Sequence, residues 1–333
     1  MKKLFNINDY VIDTSKFKHM LHDIEPEFEK KFADYVGAKY AVMANSASSL
    51  IQLCLMGVVQ NIPSQVLQQH PLYLPSIIPI AVANVVHNSG MPASWSDDVD
   101  WVGNSYVLYD AAKALAKVDA EAPPFKIVDS SQEVRKNQFE ETCNDDDVMI
   151  FSFYPTKPVG GMDGGMMVTN NLEKASFFRT AVHLGVGVEQ DGDSWNRVLA
   201  FPGWKLHANT SQCYVALQNL EKLDEKNERL DQIRDKYNDA FSVENTSRHL
   251  YRLNVSSRDL FYQEMEEAEI QIGQHYSAAH LIPQYRMANP QTMEKSEFDN
   301  LHTVSIPFNE KLTDEDVDYV IEKVKATGRI ITA

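Results

Sequence analysis

The residue with the most chemical potential is Lys157. It follows the apolar run Val148-Met-Ile-Phe151 through Ser152, and two Gly-Gly pairs, Gly160-Gly161 and Gly164-Gly165, come directly after it. A lysine leaving a buried strand beside glycines that let backbone come close can be partly stripped of water. That lowers its pKa and frees the amine as a nucleophile for an aldehyde. The plainer reading is a surface lysine in a glycine-rich hairpin. A dinucleotide loop is a third reading, and it fails on context because Met166-Met-Val168 reads as strand and not helix. Asp129 closes a second apolar run, Phe125-Lys-Ile-Val128. At the carboxyl edge of a parallel strand, where α/β proteins place ligands, an aspartate either caps the next helix or keeps a cationic ring nitrogen protonated. Gln132, one turn further on, could reach the same ligand.

The third feature is Asn45-Ser-Ala-Ser-Ser49, small hydroxylated residues at a strand-to-helix turn. Such residues are ordinary helix caps, but the free N–H groups of a helix start and its dipole also make an anion cradle. A phosphate cradle, an aspartate for a ring nitrogen and an activated lysine, in that chain order, together meet the needs of pyridoxal 5′-phosphate (PLP).

These residues need a scaffold, and the pattern supplies one. Glu27 to Val36 places Phe28, Phe32, Tyr35 and Val36 on one face and ends at Gly37, which reads as an amphipathic helix. Short strand-like runs follow at Lys39–Ala44, Leu72–Leu74, Tyr106–Tyr109, Phe125–Val128, Val148–Phe151 and Met166–Val168, with helical stretches between them. That alternation predicts an α/β domain with a mostly parallel sheet. From Thr210 a long helix is expected, with Leu217, Leu220, Leu223, Leu230, Ile233 and Tyr237 spaced for one face. A closing helix begins at Thr313-Asp-Glu-Asp316, a cap followed by acids that suit the positive end of the dipole. The expected division is a large domain over 1–225 and a smaller C-terminal α/β domain over 226–333.

Composition narrows the partners. Over 333 residues there are 47 acidic and 31 basic side chains, a net charge of −16, with no long basic block. A surface this acidic repels phosphate backbones and anionic membranes, so neither nucleic acid nor a membrane is an expected partner. Cys54, Cys143 and Cys213 form no disulfide framework, there is no apolar leader or membrane span, and a cytoplasmic location is expected. His275 and His280 lack metal-ligand spacing with any partner cluster, so no metal site is expected.

The chain resembles, over nearly its whole length, the DegT/StrS-type sugar aminotransferases within the fold-type-I PLP enzymes. Glu27-Phe-Glu29 to Ser46-Ala-Ser48 is similar to that family's first helix, strand and phosphate turn. Val128-Asp-Ser-Ser-Gln132 is similar to its Asp-x-Ala-Gln segment, and Phe151-Ser-Phe153 to Lys157 with Gly164-Gly165 to its lysine segment. Gly203-Trp204 with Leu220–Asp224, then His275-Tyr276 to His280 and Ser305-Ile-Pro307, match its later signatures.

The resemblance implies a Schiff base between Lys157 and PLP, with Lys157 then acting as general acid and base. It implies Asp129 on the pyridine nitrogen, Gln132 near the ring's O3′ side, and the backbone of Ala47 and Ser48 with the Ser152 hydroxyl on the phosphate. Lys205 would face the phosphate of a partner subunit, because the family is dimeric with shared active sites. The family reaction moves an amino group from glutamate (or glutamine) to a keto-sugar, usually nucleotide-linked. Relatives with His in place of the lysine act as dehydratases, and Lys157 argues against that branch. The chain also departs from the pattern. Pro79 follows Pro75-Ser76 where the family has a ring-stacking aromatic, Lys205 and His207 replace an Asn and an Arg, and the stretch from Pro75 to Asp129 is short. Those departures motivate two alternatives, a PLP-binding regulatory or structural protein with little catalysis and an aminotransferase for a non-sugar ketone.

Overall fold

The computed structural model describes residues 1–7, 12–18, 23–116, 124–186, 198–285, 287 and 292–331. The first helix, α1 (Glu25–Val36), buries Phe28, Phe32 and Val36 on its four-residue repeat and stops at Gly37, whose φ of 77° only glycine adopts without strain. There follow β1 (Tyr40–Ala44), α2 (Ala47–Asn61), α3 (Ser64–Gln69), β2 (Leu72–Pro75), α4 (Ile80–Asn88) and β3 (Ala93–Ser96). Next come β4 (Tyr106–Asp110), α5 (Ala112–Leu115), β5 (Lys126–Asp129), α6 (Gln138–Thr142), β6 (Val148–Ser152), β7 (Gly165–Thr169) and α7 (Leu172–Val182). The C-terminal third holds α8 (Thr210–Leu220), α9 (Leu223–Phe241), β8 (Tyr251–Asn254), α10 (Arg258–Glu267), α11 (Glu294–His302), β9 (Thr303–Ile306) and α12 (Asp314–Ala326).

The central sheet runs β1-β7-β6-β5-β4. Strands β5 and β6 are parallel, β7 is antiparallel to both β1 and β6, and β4 is antiparallel to β5. Thus β1, β5 and β6 share one direction, while β7 and β4 return. A separate parallel pair, β2 and β3, lies beside β4. The register brings functional ends together. Gly165 pairs with both Ala44 and Ser152, and Asp129 pairs with Tyr106 and lies beside Ile150. The ends of β1, β5 and β6 and the starts of β4 and β7 therefore meet along one sheet edge.

Alternate residues of the strands feed two cores. Val42, Ile150 and Met167 pack with α2, α4 and α7, while Met43, Phe151 and Met166 pack with α1 and α8. A third core joins α9, α10 and α12 to the antiparallel pair β8–β9. The chain's first residues belong with this part: Lys2 N donates to Glu269 O and Gln271 N to Lys2 O.

Three details differ from the pattern reading. The long helix expected from Thr210 is two helices, broken at Glu221-Lys222 where the chain turns from one core to the next, and 225/226 falls in the first turn of the second. Strands β3, β8 and β9 fall outside the expected runs, because polar residues interrupt them, as in Ala93-Ser-Trp-Ser96 and Thr303-Val-Ser-Ile306. The closing helix is capped as expected, with Thr313 and Asp316 exchanging side-chain and backbone bonds.

Candidate active site

The anion cradle is built first. Ser46 is the N-cap of α2, extended at φ −165°, and its hydroxyl accepts from Ser49 N at 3.2 Å. Ser49 Oγ in turn donates to Asn45 Oδ1 at 2.8 Å. The remaining N–H groups of the first helical turn have no acceptor within the helix and carry its positive dipole end. Glycine lets β7 come up against this turn, since a Cβ on Gly165 would stand 2.3 Å from Ala47 N. From the other side, Asn45 N donates to Leu206 O at 2.6 Å, tying the 203–206 segment to the cradle.

Asp129, the last residue of β5, is 3 % exposed. Its Oδ1 accepts from Ser131 N at 2.9 Å and its Oδ2 accepts from the Tyr106 hydroxyl at 3.0 Å. Burial, then the neighbouring Asp129 charge, raise the Tyr106 pKa well above the phenol value, so this hydroxyl stays a donor. A carboxylate has lone pairs for about four such bonds, so Asp129 keeps room for one more donor. Gln132 is also buried, and its Oε1 accepts from Gly103 N at 2.9 Å.

Lys157 sits in a turn closed by its own N–H on Tyr154 O, after the end of β6. Burial pulls its amine down to about 8 although the Asp129 carboxylate acts the other way. Around it, the imidazole of His249 is pushed well below its ordinary range and that of His275 to about 4. Burial is the main cause in both, and the Lys157 charge is the second. Both rings stay neutral and feel the lysine's charge. They are ordered by Phe5, stacked on His249 at 5.5 Å and edge-on to His275, and by a 2.9 Å bond between His275 Nδ1 and Ser305 Oγ.

Ala47, Ser48, Asp129, Gln132, Ser152 and Lys157 all line one cavity. Lys205 does not; its backbone pairs with His183, on the segment that abuts Asn45. Pro79, Trp101, Asn104 and Tyr106 also line it, with Ile51, Ala81, Val82 and Ser131, and sequence reasoning passed over Trp101, Asn104 and Tyr106. The available signal was two aromatics, Trp101 and Tyr106, inside the stretch that is short by comparison with the family. The donor set fits PLP: helix N–H groups for a phosphate, a buried carboxylate for a ring nitrogen, and a depressed amine for an aldehyde. A buried indole N–H on the wall, Trp101 Nε1, has no hydrogen-bond partner among the described residues.

The model of the DegT/DnrJ/EryC1/StrS aminotransferase family matches residues 9–100 and 104–325. The chain belongs to this family. As a member it is an aminotransferase, and the two matched blocks leave residues 101–103, Trp101 among them, unmatched. It is similar to the spore coat polysaccharide biosynthesis protein SpsC of Bacillus subtilis, 25% identical over 90% of this chain and 88% of that protein. It is 22% identical to the UDP-4-amino-4,6-dideoxy-N-acetyl-beta-L-altrosamine transaminase of Campylobacter jejuni, over 90% of each chain. Among solved structures, Spr1654 of Streptococcus pneumoniae in its PMP form superposes with a TM-score of 0.76 at 19% identity, covering 98% of this chain and 97% of that one. The same protein is known in a PLP form. These likenesses place the chain in the fold-type-I PLP architecture. Among the described residues no helix is long and apolar enough to cross a membrane, and no group of His, Cys, Asp and Glu is placed to hold a metal.

Proposed function

We propose that this DegT-family chain is a PLP-dependent aminotransferase that takes its amino group from glutamate and gives it to a keto-sugar carried on a nucleotide. It works in the cytoplasm as a homodimer, with Lys205 of each chain near the other's cradle. The observation that carries the reading is the convergence of the α2 cradle, Asp129 and Lys157 on one cavity, with the amine depressed to about 8. The sugar part of the reading is supported by the relatives, a polysaccharide-biosynthesis protein and a transaminase of a UDP-amino-sugar.

Each side chain has a defined task. The N–H groups at Ala47 and Ser48, with the Ser152 hydroxyl, hold the phosphate by hydrogen bonds and the helix dipole. Asp129, oriented by Tyr106 and Ser131 N, keeps a proton on the ring nitrogen. Gln132 stands on the same wall, fixed by Gly103. Lys157 Nζ would hold the cofactor at its aldehyde and would be the group that takes a proton from the substrate α-carbon and returns it. Bound PLP supplies the electron sink for that proton's removal.

The test is a stopped-flow absorbance record of PLP-loaded protein mixed with glutamate and then with nucleotide-linked keto-sugars. The reading expects a spectral change with glutamate that a keto-sugar reverses and a non-sugar ketone does not. Reversal only by simple ketones would move the acceptor outside the sugars. No change with glutamate would remove glutamate as donor.

A further inference from the structure

Trp101 has the features of a ligand-contacting residue. It is 6 % exposed, it lines the Lys157–Asp129 cavity, and its Nε1–H is buried with no acceptor among the described residues. Leaving a donor dry and unpaired costs stability, so such a group calls for an explanation. Of the buried, unpartnered side-chain nitrogens and oxygens in the described residues, this is the only one whose side chain lines that cavity.

Its position is also firmly set. Trp101 O accepts from Asn104 N at 2.8 Å, Gly103 N is held by Gln132, and Gly103 O accepts from Ser247 Oγ at 2.8 Å. Gly103 has φ +96°, and a Cβ there would meet Ser247 Oγ at 2.5 Å, so this turn admits no side chain. The indole lies 4.4 Å from the Tyr106 ring, whose hydroxyl is bonded to Asp129. Trp101 is thus fixed at the carboxylate end of the cavity. Pro79 lines the same cavity and offers no aromatic face.

We infer that Trp101 is a cofactor-binding residue, its indole packing against the ring held between Asp129 and Lys157 and its N–H donating to an acceptor on the bound group. The inference rests on the PLP reading above and adds a residue to it.

The test uses the apoprotein titrated with pyridoxine 5′-phosphate, which lacks the aldehyde, and with PLP, followed by tryptophan emission and absorbance. The chain has four tryptophans, so Trp101→Phe removes one emitter and one N–H while keeping an aromatic face. Expected are binding of both probes about fivefold weaker in Trp101→Phe and at least about tenfold weaker in Trp101→Ala, with ligand-induced quenching reduced in both. Thermal melts of the apoproteins check folding; should Trp101→Ala not fold, Trp101→Phe alone decides. Unchanged affinity and quenching would make Trp101 a bystander, and tighter binding would make it a plug; either overturns the inference. A wild-type protein that gives no PLP band overturns the functional reading itself, whereas a normal band with silent Trp101 variants overturns only this step.

Discussion

Two buried carboxylates, each with a basic partner, flank the central sheet and differ in one respect. Glu29 on α1 is closed off: its Oε1 accepts from Met43 N at 2.7 Å, its Oε2 from Arg179 at 2.6 Å, and Arg179 also bonds Ala41 O. Asp129 and Lys157 are left open. Asp129 has lone pairs to spare, and Lys157 Nζ has no hydrogen-bond partner among the described residues. Burial shifts both pairs, pushing Glu29 up to about 7 against the pull of Arg179 and Lys157 down to about 8 against that of Asp129. A perturbed pKa alone does not separate a structural pair from a reactive one. Unused bonding capacity facing a cavity does.

Substitutions should part the two pairs. Lys157→Ala is expected to cut amino transfer by about a thousandfold while leaving the melting temperature unchanged or higher, because the lysine is buried at a cost. A loss of only a few-fold would make Lys157 a neighbour of the chemistry instead of its agent. Arg179→Met should do the reverse, costing about 3 kcal/mol in denaturant unfolding by stranding a buried carboxylate, with the PLP spectrum intact. The sign with pH follows from Glu29. Its folded pKa lies above its ordinary 4.5, so the protonated form favours folding, and stability falls as pH rises through about 7. The Arg179→Met loss is therefore expected to be larger at pH 8 than at pH 5, and a flat profile would contradict the assignment.

Smaller effects sharpen the open pair. Tyr106→Phe removes one charge-assisted bond from Asp129 and should weaken PLP binding about tenfold, read by equilibrium titration. The rate of covalent PLP capture should climb up to about pH 8 and then level off, as the depressed amine loses its proton. A rate still climbing at pH 10 would mean that Lys157 is an ordinary exposed lysine.

Much of this was readable in the residues. Lys157, Asp129 and Asn45–Ser49 each stand where an apolar run ends, and strand ends are where parallel neighbours gather their functional groups. Ala47, Ser48 and Gln132 follow from those three by neighbourhood, and Ser152 from the family resemblance. What escaped is long-range. Tyr106 reaches Asp129 because β4 returns antiparallel to β5, and periodicity gives strand positions without their direction. Trp101 enters through a turn held by Gln132 and Ser247, contacts 29 and 144 positions away for Gly103. His249 and His275 feel the Lys157 charge from segments beyond α9, far along the chain, which local pattern does not link. Lys205, expected at the cofactor, does not line the cavity.

The most direct test of the central claim is to find the atom that PLP occupies. PLP-loaded protein would be reduced with borohydride, digested and mapped by mass spectrometry. The account predicts one phosphopyridoxyl group per chain, on Lys157, and none on that peptide after pretreatment with glutamate. Label on another lysine, such as Lys205 or Lys226, or spread over surface lysines, would contradict it.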